Sequence, residues 1–227
     1  MTMLTDRAAR YRLQSWFSPA YPVGGYTYSH GLERAVEVRD VVDAGSAEAW
    51  IRDVLVSGAG RSDAILMAEA WRCEDADAFA ELAELARALA PTAERQLESV
   101  AQGRAFLDVT TAAWPGERLS WAEALPVDMR VHAVIVGLAG RAHDLPLDAL
   151  LEAHLQAFAA NLVSAAVRLV PLGQTDGQRL QARLEPVVAA VAHAAAAASR
   201  EEIGGVALLA DVASMQHETQ YTRLFRS

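Results

Sequence analysis

From Leu147 to Val170 the chain reads LDALLEAHLQAFAANLVSAAVRLV, and Pro171-Leu172-Gly173 follows. The run holds neither Gly nor Pro, and Ala and Leu, which lose little on entering a helix, dominate it. A proline and a glycine then end it. The same grammar holds on both sides. Upstream, a helix over 130–143 stops at Asp144-Leu145-Pro146; downstream, a helix over 175–200 is kinked by Pro186, and a last helix follows Glu201. Nearer the N-terminus, helical spacing predicts elements over 7–17, from Ser29 onward, after the turn and cap Asp43-Ala44-Gly45-Ser46, and over 62–72, 76–89, 92–114 and 117–125. Strand-like alternation is nearly absent. The fold class is all-α, a single irregular domain over 1–227 with about ten helices and buried central ones.

Composition narrows the function. The 227 residues are 52% hydrophobic and 22% charged, with a net charge of −9. All 20 cations are arginine and lysine is absent, so a nucleotide-binding P-loop and Schiff-base chemistry are both excluded. No basic stripe suits a nucleic acid. The longest apolar stretch, 155–172, is interrupted by Gln156, Asn161 and Arg168, and no N-terminal apolar segment resembles a signal peptide. With one cysteine, Cys73, no internal disulfide forms. The expectation is a soluble cytoplasmic protein with no membrane and no nucleic-acid partner.

Catalytic chemistry is hard to find. The histidines are His30, His132, His143, His154, His193 and His217, and only His30/Glu33 and Asp128/His132 have acidic neighbours at helical spacing. His132 and His143 would lie about 16 Å apart along one helix axis, too far to share an ion. No resident metal or cofactor is expected. Cys73 admits one enzyme reading, a small helical cysteine-dependent hydrolase. Its place at a helix end, where the dipole disfavours a thiolate, argues against that reading.

Two segments stand out. The first, 18–33, contains Pro19, Pro22, Gly24, Gly25, Tyr26, Tyr28, His30, Gly31 and Glu33. It reads either as a rigid loop offering aromatic residues to a partner or as a tight connection whose tyrosines fill the core. The second, 217–227, contains His217, Glu218, Tyr221, Arg223, Leu224, Phe225 and Arg226. Tyr221, Leu224 and Phe225 fall at i, i+3 and i+4 with arginines beside them, which suits a helix docking in a partner's groove; the plain alternative is the amphipathic end of the last helix. His217 and Glu218 also admit a nickel-binding reading, against a capping or core pair.

These segments, with Arg168-Leu169-Val170-Pro171-Leu172-Gly173-Gln174-Thr175-Asp176-Gly177-Gln178 between them, resemble the motifs of the urease accessory protein UreF family. The departures are small: Gly25 stands where Ala or Ser is usual, and Tyr21 where a smaller apolar residue is common. The resemblance implies an all-helical, dimeric, non-enzymatic scaffold. Such a scaffold bridges UreD (UreH) to the GTPase UreG and docks on apo-urease, with nickel as cargo. It implies a tail that orders on UreD, and a tail arginine and an N-terminal tyrosine that help recruit the GTPase. Those two match Arg223 and Tyr28, with Tyr26 second. For Pro171, Gly173, Gln174 and Gln178 the local reading is a turn, with the glutamines buried to fix it.

Overall fold

The computed structural model describes residues 3–226; Met1, Thr2 and Ser227, which the single-domain and tail readings include, lie outside the described residues. Eleven α-helices are present among them: α1 (Met3–Trp16), α2 (Leu32–Glu37), α3 (Ala44–Val56), α4 (Ala59–Arg72), α5 (Ala76–Ala88), α6 (Ala93–Ala113), α7 (Leu119–Ala124), α8 (His132–Ala142), α9 (Leu147–Leu169), α10 (Gln174–Ala197) and α11 (Leu208–His217). There is no strand among the described residues, and the all-α expectation is met.

Local chemistry sets the boundaries. Asp43 caps α3 by accepting the Ser46 N–H at 2.8 Å, while Ser46 Oγ accepts the Asp43 N–H at 3.1 Å. Thr92 Oγ1 accepts the Arg95 N–H at 3.1 Å and opens α6. Between α9 and α10 the chain turns at Pro171-Leu172-Gly173, where Asp176 accepts the Gly173 N–H at 3.3 Å. Gln174 and Gln178 are exposed, contrary to the sequence expectation, because Asp176 does the turn's capping instead. α10 runs through Pro186, whose ring sits on the exposed side of the helix.

At the centre lies α8, with Ala133 to Gly140 all buried. It packs on α4 and α6, and also touches α9. α9 pairs along α10, and α10 in turn covers α3 and α4. By length and composition α9 could cross a membrane, but half of its most apolar window is buried against neighbouring helices, as in a core helix. One apolar cluster extends from Ala9 to Phe225.

Two expectations need correction. The last helix begins at Leu208 rather than just after Glu201. Gly204 (φ 118°) takes a conformation only glycine adopts easily, a Cβ at Gly205 would collide with the Ser57 carbonyl, and Arg61 holds the Glu202 carbonyl at 2.8 Å, so the link stays irregular. The segment after His217 is not helical. The spacing of Tyr221, Leu224 and Phe225 is therefore not one helix face: Phe225 is 4% exposed, while Tyr221 is fully exposed and Leu224 64%.

Candidate partner-docking site

The N-terminal loop and the C-terminal tail meet. Gly24 and Gly31 (both φ 74°) supply left-handed turns at either end of 24–31, and a Cβ on Gly31 would approach the Ala210 oxygen at 2.8 Å and the Ser214 nitrogen at 2.9 Å. Gly31 thus lets α2 start flush against α11. Pro19 and Pro22 are exposed and stiffen the entry. Tyr21 is buried: its hydroxyl pairs with Thr110 Oγ1 at 2.8 Å and its ring stacks near Trp114, which gives the larger residue its own socket. A side chain at Gly25 would press on Asn161 Nδ2 at 2.9 Å.

The two tyrosines of the loop are placed differently. Tyr28 is 5% exposed and fills the core; Tyr26 is 63% exposed. The tyrosine available to a partner in this conformation is Tyr26, the reverse of the order expected from the motif.

The tail lies across this loop. The Arg226 N–H donates to the Thr27 carbonyl at 2.8 Å. Arg168 donates to the Tyr26 carbonyl at 2.9 Å, and its guanidinium stands 4.3 Å over the Phe225 ring. Beneath, Glu33 accepts the Leu224 N–H at 2.7 Å and the Phe225 N–H at 2.9 Å. His217, fully buried, places Nε2 3.0 Å from Glu33 Oε2 and Nδ1 2.9 Å from Glu94 Oε2. Arg223 pairs with Glu94 at 3.2 Å and stays partly exposed. Glu218 accepts the Ala93 N–H at 3.0 Å, a carboxylate at the positive end of α6. His217 and Glu218 are thus a core residue and a cap, which is the plain reading of that pair.

His30 joins a second buried network. Its Nε2 accepts from Arg95 Nη1 at 2.8 Å and lies 3.2 Å from Glu98, not beside Glu33. Arg95 also bonds Glu98, and Gln102 donates to Glu98 at 2.9 Å. Burial would raise the Glu98 carboxyl, but Arg95 and His30 hold it down at about 2. Burial lowers His30, with Arg95 adding to the effect. Asp63, 3.8 Å from Arg95, is pushed up to about 6 by burial and by Glu98. A cavity of about 310 Å³ lies under the loop, reached by His132 and His154. His132 is not paired with Asp128, which bonds Arg87 at 2.9 Å.

Glu94, Arg95, Glu98 and Asp63 escaped the sequence reading. The one available signal was the dense charge in the first turns of α6, directly after a capping threonine. Among the described residues no group of three or more His, Cys, Asp or Glu side chains could hold a metal ion. Cys73 is half-buried, and burial, Glu69 and Asp75 all push its thiol up, away from a reactive thiolate.

The UreF family model matches residues 41–185. A urease accessory protein UreF from Rhodopseudomonas palustris (strain BisB18) is 50% identical over 223 residues, covering 97% of this chain and 92% of the relative. One from Bradyrhizobium sp. (strain BTAi1 / ATCC BAA-1182) is 49% identical over 229 residues, covering 98% and 93%. With a family match over more than half its length and relatives of this identity along nearly all of it, the chain belongs to the UreF family of urease accessory proteins.

Proposed function

We propose that this chain is a non-enzymatic scaffold in urease maturation that binds UreD (UreH) and the GTPase UreG and brings them to apo-urease for nickel insertion. The observation that carries the reading is the composite surface made by the seated tail. Tyr26, Tyr221 and Leu224 stand exposed on the loop and tail, and Leu208, Leu209, Val212 and Met215 are exposed on α11. Exposed large apolar and aromatic side chains are what a partner's surface buries. Nickel is cargo in this reading, with no resident cofactor, and the scaffold is a cytoplasmic homodimer. Arg223 acts as a docking contact: its guanidinium is tied to Glu94, so it presents a fixed charge at the edge of the surface.

The test is a chain ending at Gln220. It is expected to keep its helical content and to lose UreD capture by at least tenfold, whereas Arg223→Ala keeps UreD and loses UreG. Full UreD capture by the shortened chain would refute the docking role of the tail. For the hydrolase alternative, Cys73→Ser is expected to leave urease activation unchanged within twofold; a loss beyond tenfold would bring the cysteine reading back.

A further inference from the structure

We infer that Glu33, with His217 and Glu94 behind it, is the positioning device of the tail, so that the docking surface exists only while this buried carboxylate grips residues 224 and 225. The inference rests on the docking role proposed for the tail. It goes beyond that role by assigning the residues that build the surface without touching the partner.

Glu33 is 7% exposed and its carboxylate is saturated. One oxygen takes the Leu224 N–H; the other takes the Phe225 N–H and faces His217 Nε2. His217 has no exposed surface and faces a carboxylate at each ring nitrogen. Arg223 meets Glu94 from the tail side. Every element packed here contributes one group: α2 gives Glu33, α6 gives Glu94, α11 gives His217 and the tail gives Arg223.

Two consecutive backbone N–H groups aimed at one carboxylate form a specific seat. They fix the backbone at 224 and 225, and so decide that Phe225 turns inward under Arg168 while Leu224 turns outward. If the tail leaves, Glu33 loses two charge-assisted donors, which penalises the open state. The N-terminal motif and the C-terminal motif are therefore one device, joined through the side chain of Glu33. Its action is through the tail, not through the partner.

The experiment compares amide hydrogen exchange in full-length Glu33→Gln and native protein. Leu224 and Phe225 are read against the buried α8 amides, with UreD capture measured on the same samples. Glutamine keeps the shape but turns an amide N–H₂ toward one of the donors. Exchange at 224 and 225 is expected to rise at least tenfold with α8 unchanged, and UreD capture to fall with it. In the chain ending at Gln220, the substitution should cost less than half the melting-temperature loss it causes in the full chain, an outcome a purely structural glutamate would not give. Tail amides that stay protected in Glu33→Gln overturn the inference whatever happens to capture. Tail amides that are freed while capture is undiminished uphold the seat and sink the docking role of the tail. Should Glu33→Gln fail to fold, Glu94→Gln provides the second test, since it unties His217 from behind; protection retained there also overturns the inference.

Discussion

At pH 4 the His154→Leu protein is expected to be about 3 kcal/mol more stable than the native chain, although the two should differ little at pH 7. His154 is buried, and its Nε2 has no hydrogen-bond partner. Its neighbours are the rings of Phe17 at 6.0 Å, His132 at 5.9 Å and Phe158 at 6.4 Å. Burial, with some repulsion from His132, pulls its pKa down to about 3 from the ordinary 6.5. A folded-state value below the unfolded one means that the unfolded chain takes up a proton first. The stability is therefore intact above pH 6.5 and is lost as the pH falls toward 3. Between 6.5 and 4 that amounts to about 2.5 pH units at roughly 1.4 kcal/mol each. His132, lowered to about 4 by burial, adds in the same direction. Asp63, raised to about 6, works the other way, gaining stability as it protonates between about 6 and 4. Both proteins carry Asp63 and His132, so their own contributions largely cancel in the comparison, apart from the repulsion between His132 and His154 that the substitution removes. Urea unfolding at pH 7, 5.5 and 4 measures it; parallel losses in the two proteins would refute the assignment to His154.

How much of this was legible in the sequence depended on distance along the chain. The bounds of α5, α6 and α9 followed from caps and breakers lying beside them, because a helix end is settled by its own few residues. The start of α11 was missed because Gly204, Gly205 and Arg61 decide it together, and Arg61 is far away in sequence. The tail was misread as a helix face because Glu33 captures the very N–H groups that a helix would have used. His30 and Glu33 look like a pair at helical spacing, yet each answers to a different residue of α6: His30 to Glu98, and Glu33 through His217 to Glu94. Both motif segments were visible as segments; the carboxylates that join them were not, since no local spacing connects α2, α6 and α11.

Substituting Ala for Gly103 is expected to cost about 2–3 kcal/mol, and to lower the melting temperature by about 5–10 °C. Gly103 lies on α6 where the chain enters α8. A Cβ there would press on the Arg130 carbonyl oxygen and come within 2.7 Å of the His132 nitrogen and 2.9 Å of the Val131 carbonyl carbon. All three are backbone atoms, so relief requires the entry to α8 to move as a unit rather than one side chain to turn. Gly137 repeats the arrangement on the other side of α8, against the Met67 carbonyl and Ala70 of α4. Gly45 is the internal control. It lies in the first turn of α3 with only Asp43 Oδ1 nearby, at 3.5 Å, so Gly45→Ala should be neutral or stabilising by up to about 1 kcal/mol. The thermal midpoint should therefore fall for Gly103→Ala and stay level or rise for Gly45→Ala, and a Gly103→Ala protein as stable as the native one would show that α6 and α8 can separate freely.

The position of α8 also bears on how the chain comes off the ribosome. Its cover is made partly before it, by α4 and α6, and partly after it, by α9, while α10 closes over α3 and α4 from outside. An emerging chain that has just completed α8 thus still lacks α9 and α10, which pack on α4 and, for α9, on α8, and apolar surface left open at that stage favours association.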